Sequence, residues 1–236
     1  MQSPLNYLLN SPVFSSIRVA GLTTLNRILL RRNLVISPSE NVPARAAARD
    51  LIANTRRETA MVLIDAEAYN IYSAAERSLK VPGDIAEVGV FRGGSARLMC
   101  AVKGNRSLHL FDTFSGLPEA GEYDSKFRKG GFAASLEDVQ KYLATFPDVY
   151  FHKGLFPDTA SGLENIRFSF VHLDVDLYQS TLASLEWFYP RLNRGAMLIS
   201  HDYDAEGVRR AFDEFFVEKP EFVIELSTTQ AAFVKV

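Results

Sequence analysis

Short apolar runs alternate with helical text along most of this chain, and that alternation constrains the fold more than any other property. The runs fall at 85–90, 107–111, 149–152, 168–173 and 196–200. Helical text fills the gaps at 94–102, 135–145, 180–192 and 206–216. Strands alternating with helices of this length form βαβ units, hence a parallel sheet with helices on both faces. The chain ends differently. "FVIEL" and "AAFVKV" are joined only by "STTQ", which leaves no room for a crossover helix, so these two segments pair antiparallel. The expectation is a seven-stranded, mostly parallel α/β sheet with an antiparallel C-terminal hairpin.

Upstream, residues 44–80 read as continuous helical text, with Met61, Ile64, Ala68 and Ile71 at helix spacing and Pro82-Gly83 as the stop. Residues 34–44 carry two prolines and read as a linker. The chain therefore divides into an N-terminal helical extension with its linker, 1–43, and a main domain, 44–236. Phe14 to Arg32 is apolar with basic punctuation, and the pattern favours packing on its own domain or on a second copy over membrane binding. Ser135 with Asp138 fits a helix cap, Gly195 sits where a helix stop is expected, and the Leu182, Leu185, Phe188 and Leu192 stripe reads as core.

Composition removes several functions. A net charge of −2 gives no electrostatic footprint for nucleic acid. The single cysteine, Cys100, excludes an internal disulfide and fits a reduced, cytoplasmic setting. Neither a secretory leader pattern nor an apolar run of about 18 residues or more is present, so no membrane span is expected.

The first strand runs into "DIAEVGVFRGGSARLMC". This fits neither G-x-G-x-x-G nor the phosphate-loop pattern, which needs a Lys where Ser95 follows Gly94 directly. Gly89 permits close backbone approach. Gly93, Gly94 and Ser95 open a helix whose free amides favour a carboxylate or phosphate. Glu87, two residues before the glycine, would repel a pyrophosphate and suit an amine. Asp112, at the end of the second strand, is placed to accept hydrogen bonds from ribose hydroxyls. An amine, a carboxylate and a ribose without phosphates describe S-adenosylmethionine better than NAD.

The fourth strand ends in Asp174 and Asp176, and the fifth in His201, Asp202 and Asp204. Parallel neighbours bring their carboxyl ends together, so these groups converge where hard oxygen ligands suit Mg²⁺. A metal there lowers the barrier to forming an alkoxide, and an aspartate can take the proton. Asp176 and Asp204 are also candidates to cap the helices that follow them. His109, His152 and His172 lie inside strands and read as structural. The polar, glycine-rich stretch 118–132 reads as a lid.

"GDIAEVGVFRGGSA", "FDTFSGLP", "VHLDVDLYQST" and the Asp-Tyr of "SHDYD" resemble the macrocin-type O-methyltransferases in order and spacing, from about Thr59 to the C-terminus. The resemblance implies a Rossmann-like class I methyltransferase fold and transfer of a methyl group to a sugar hydroxyl of a natural product, using S-adenosylmethionine and a divalent metal. It implies that Glu87, Gly89 and Gly93 to Ser95 hold the methionine end, that Asp112 holds the ribose, and that Leu155, Phe156 and Asp158 flank the adenine. The metal set is then Asp174, His201 and Asp202, with Asp174 or Asp176 as base. His201 stands where the resembled family usually has an acid, and an imidazole suits Mn²⁺, Fe²⁺ or Zn²⁺ better than Mg²⁺. The expected partners are a sugar or phenolic substrate and a second copy of the chain. Three alternatives compete: an Fe²⁺-dependent hydroxylase on the same scaffold, a catalytically silent nucleoside-binding module, and a nicotinamide oxidoreductase, the last opposed by the absent fingerprint.

Overall fold

The computed structural model describes residues 43–236. The expected extension up to Val42, including the Phe14–Arg32 segment, lies outside them. The chain divides into two compact units, Met1–Ala46 and Ala47–Val236, and the sheet belongs to the second.

In chain order the elements are α1 (Pro43–Glu58), α2 (Asp65–Ser78), β1 (Asp84–Val88), α3 (Gly94–Val102), β2 (Leu108–Asp112), α4 (Leu136–Leu143) and β3 (Val149–Lys153). There follow β4 (Phe168–Leu173), α5 (Tyr178–Phe188), β5 (Leu192–Ser200), α6 (Glu206–Phe216), β6 (Ile224–Glu225) and β7 (Ala231–Val234). The seven strands form one sheet in the order β3-β2-β1-β4-β5-β7-β6. β1 to β5 run parallel, and β7 lies antiparallel to both β5 and β6. The order reverses at β1, with β2 on one side and β4 on the other, and such a switch point opens a crevice at the strands' carboxyl ends.

The sheet has two differently packed faces. Ile85, Leu108, Leu110, Phe170 and Ile199 meet α1, α2, α3 and α4. Ala86, Val88, Phe111, Val171 and Leu198 meet α5 and α6. Burial of each large apolar side chain stabilises by about 1.5–3 kcal/mol, and the strands' period-two alternation directs successive residues to opposite faces.

Two expectations from sequence are corrected. The helical text of 44–80 is not one helix, because it breaks at Thr59–Ile64. Arg56 clasps the break, donating to the carbonyls of Met61 and Leu63 and pairing with Asp65. Thr59 is tied to the Arg92 carbonyl at 3.0 Å. Gly195 is not a helix stop. It lies inside β5 at φ +85°, where the β4–β5 register jumps from Phe168↔Leu192 to Phe170↔Met197. The skipped residues bulge toward the chain end, with Gly195 N donating to the Lys235 carbonyl at 2.7 Å. Ser135 does cap α4, accepting from Asp138 N at 3.1 Å. Among the described residues no helix is long and apolar enough to cross a membrane.

Candidate active site

The turn after β1 is shaped by a collision that only glycine avoids. Gly89 has φ +87°, and a Cβ there would stand 1.8 Å from the Asp174 carbonyl oxygen. That closeness brings the end of β4 against the turn, with Asp174 N donating to Val88 O at 2.9 Å. Asp112 fixes the turn from the other side. Its Oδ2 accepts from Val90 N at 2.7 Å and Phe91 N at 2.8 Å, and its Oδ1 accepts from Phe114 N at 2.6 Å. The free amides of α3 then begin at Gly94 and face the cleft.

Beside this turn stands the acid cluster. His201 Nδ1 lies 3.2 Å from Asp174 Oδ1 and 3.2 Å from Asp202 Oδ2. Its Nε2 lies 3.3 Å from Glu67 Oε2, an ion-pair distance, although the approach is off the line of a full hydrogen bond and Nε2 has no other partner among the described residues. Burial opposes a charged imidazole, yet Asp174, Asp202 and Glu67 outweigh it and push the His201 pKa well above its ordinary value. Asp176 is pushed up to about 9 by burial and then by the neighbouring Asp174 charge. Asp202 is held low: burial pulls the other way, but His201 and the proton of Asp176 prevail. Asp176 and Asp202 both adopt left-handed backbone, at φ +61° and +52°. Non-glycine residues held there are uncommon and concentrate at functional sites.

The three donor atoms of Asp174, His201 and Asp202 lie within 4.8 Å of one another. Adjacent ligands of a cation with bonds of about 2.1 Å at right angles stand about 3 Å apart. The two 3.2 Å edges match that spacing, so the residues fit a divalent cation.

Two segments wall the cleft, which encloses about 1120 Å³ including its solvent-filled mouth. One is the helix break, through Ala60 to Leu63. The other is the expected lid, through Gly116 to Pro118, Phe127, Gly131 and Phe132. Asp124 pins that lid. It is buried, accepts from Gly121 N at 3.0 Å, and accepts from Tyr178 N at 2.9 Å, so it caps α5. Gly207 makes room for it, since a Cβ there would stand 2.1 Å from its carboxylate. Neither Asp176 nor Asp204 caps a helix: the N-cap positions of α5 and α6 are Leu177 and Ala205, whose side chains offer no cap.

Of the residues singled out in sequence, Gly89, Gly94, Ser95, Asp112 and Phe156 line this cleft, as do Asp174, Asp176, His201 and Asp202. Three do not. Glu87 is wholly buried against His172, with Oε1 2.8 Å from Nδ1, and burial raises its pKa. Gly93 faces Val139 on α4, and Asp158 is exposed on a single 3-10 turn. Sequence reading missed Glu67, the 60–63 wall and Asp124. The faint signal for Glu67 was its place in the first turn of a helix, where it accepts from Ile64 N at 2.9 Å.

Comparison with known proteins identifies the family and the fold. Residues 25–225 match the macrocin O-methyltransferase family, so the match begins well upstream of Thr59. A tetracenomycin rhamnosyl 4'-O-methyltransferase of Streptomyces olivaceus is 37% identical over 57% of this chain and 58% of its own length. Demethyldecarbamoylnovobiocin O-methyltransferase of Streptomyces niveus is 32% identical over 52% of this chain and 53% of its own. The chain thus spans little more than half the length of these two relatives. Among solved structures, the O-methyltransferase NovP superposes with a TM-score of 0.65 at 28% identity, covering 72% of this chain and 79% of that one. The calicheamicin methyltransferase CalS11 shares the fold, with a TM-score of 0.64 at 19% identity over 96% and 93% of the two chains. The hydroxylase alternative loses support, because an iron facial triad needs a second histidine and none joins the cluster among the described residues. The chain belongs to the macrocin O-methyltransferase family.

Proposed function

We propose that this chain transfers a methyl group from S-adenosylmethionine to a hydroxyl of a sugar or glycosylated natural product, with a divalent cation held by Asp174, His201 and Asp202. One observation carries the reading: the glycine turn after β1 and the acid–histidine cluster open onto the same cleft. Family membership and the named activities of the relatives support it.

In this reading the amides at the start of α3, with Ser95, meet the methionine carboxylate. Asp112 keeps acceptor capacity on Oδ1 for a ribose hydroxyl. Leu155 and Phe156 border the adenine side. S-adenosylmethionine supplies the methyl group, and a divalent cation, when bound, supplies Lewis-acid stabilisation of charge developing on the acceptor oxygen. Asp174 takes the hydroxyl proton as the oxygen–methyl bond forms and the sulfur–methyl bond breaks, leaving S-adenosylhomocysteine and a methyl ether. Asp176, buried beside Asp174, is the alternative base. Oxygen ligands favour Mg²⁺, and the His201 nitrogen shifts preference toward Mn²⁺, Fe²⁺ or Zn²⁺.

Val217 and Phe222, exposed between α6 and β6, and Ile224, exposed on β6, support assembly of at least two copies, which light scattering at micromolar concentration checks. The decisive experiment incubates methyl-labelled S-adenosylmethionine with a panel of glycosides and phenols, with and without chelator. Label in no acceptor, despite measured binding of S-adenosylhomocysteine, refutes the activity. Full activity under chelation refutes the cation.

A further inference from the structure

Glu67 lies outside the sheet, on the first turn of α2, yet it is the carboxylate that faces the back of His201. It is 3% exposed. Oε1 accepts from Thr229 Oγ1 at 2.7 Å and from Thr229 N at 3.2 Å, in the turn between β6 and β7. Oε2 accepts from Ile64 N at 2.9 Å and lies 3.3 Å from His201 Nε2. Three segments distant in sequence are thereby fixed to one carboxylate: the helix break that walls the cleft, the C-terminal hairpin and the end of β5.

Consider what this does to the imidazole. A neutral ring carries its proton on one nitrogen and a lone pair on the other. A carboxylate set against Nε2 selects the form with the proton there, which leaves the Nδ1 lone pair toward the gap between Asp174 and Asp202. An Asp in place of His201 would need no such partner, since either of its oxygens can ligate. We propose that Glu67 is a positioning residue of the cation site: it fixes the His201 tautomer and ring so that Nδ1 completes the donor set with Asp174 and Asp202. The proposal rests on the cation reading above and assigns a role to a residue that touches neither donor nor acceptor.

The test is a Co²⁺ titration of chelator-stripped full-length protein, followed by the visible absorption of the bound ion, in wild type, Glu67→Gln, His201→Asp and the double variant. Glu67→Gln keeps size and helix position while removing the charge. It should raise the Co²⁺ dissociation constant about 10- to 100-fold in the wild-type background, the usual cost of losing such an outer partner. In the His201→Asp background the same change should cost less than about threefold, because no tautomer remains to be set. S-adenosylhomocysteine affinity should stay within about twofold throughout, which shows that the variants are folded. An equal Co²⁺ penalty in both backgrounds means that Glu67 acts only through general structure or charge, and overturns the proposal. Wild-type protein that binds no Co²⁺ yet methylates under chelation overturns the proposal and the cation clause together, while leaving the methyltransferase reading intact.

Discussion

On the α5–α6 side of the sheet, Phe111, Phe156, Phe168 and Phe188 pack ring against ring, with Phe156 stacked on Phe188 at 5.1 Å and Trp187 closing the edge at 4.8 Å from Phe188. On the opposite side, the same strands bury Glu87 and His172 under α3, and α2 brings Glu67 to His201. Among the described residues, Glu87 Oε2 and His172 Nε2 find no hydrogen-bond partner. Buried ionisable groups are costly and weak as a source of stability. Both faces bury apolar core, but one is built of packed rings while the other spends part of its stability on arranging charge beside the cleft. The two can be separated by mutation.

The largest effect should come from the aromatic face. Phe188→Ala removes a fully buried ring at the centre of the stack. It should cost about 3–5 kcal/mol of unfolding free energy. Denaturant titration measures the loss, and methyl transfer per folded molecule should stay within about threefold, provided that Phe156 holds its place without its stacking partner. A fall in kcat with little loss of stability would break the division between the faces.

The mirror-image test lies at the cluster. Asp174→Asn keeps shape but removes the proposed base, and should lower kcat by about a hundredfold or more. S-adenosylhomocysteine affinity and thermal stability should barely move. Calorimetry and thermal unfolding of this one variant decide whether the charged side carries chemistry or structure.

The same division explains what was legible in sequence. The aromatic face and the strand order follow from local pattern: period-two strands, a helix stripe through Leu185 and Phe188, and a hairpin too short for a crossover. The cluster acids were legible because chemistry at a parallel sheet sits at strand ends. What escaped depends on contacts between distant segments. The break at Thr59–Ile64 lies inside unbroken helical text and is fixed by the Arg56 clasp and by the Arg92 carbonyl. Gly195 looked like a helix stop because a positive φ suits both a helix end and a bulge. Nothing local to Glu67 says that its carboxylate meets Thr229, more than 160 residues away. Asp124 sits in loop text, so its role as the cap of α5 was invisible.

A smaller effect is expected at Asp112, where structure and binding overlap. Asp112→Ala removes three accepted backbone bonds and the proposed ribose contact. S-adenosylhomocysteine should bind more weakly by about 1–3 kcal/mol. If calorimetry shows unchanged affinity, Asp112 belongs to the scaffold of the turn alone.

The smallest effect sharpens the comparison from the other direction, because the aromatic side also buries carboxylates, Glu221 among them. Glu221 accepts from Lys235 Nζ at 2.7 Å, Tyr189 Oη at 2.7 Å and Val236 N at 3.2 Å, beside the ring of Tyr189 that packs on Phe215 and Phe233. Burial alone would raise its pKa, but these bonds prevail and hold it down at about 2 from the usual 4.5. A depressed carboxylate stabilises the folded state above its unfolded pKa, and that contribution is lost as pH falls from 4.5 through about 2. Solvent reaches Lys235, whose side chain is 18% exposed, so the net worth is modest, on the order of 1 kcal/mol. Glu221→Gln should therefore destabilise by about that amount at pH 7, and the gap to wild type should close as the pH is lowered toward 2. Methyl transfer should not change, because Glu221 does not line the cleft. A variant as stable as wild type at pH 7 would show that the pair only compensates its own burial, and a variant with altered methyl transfer would show that charge on the aromatic side also reaches the cleft.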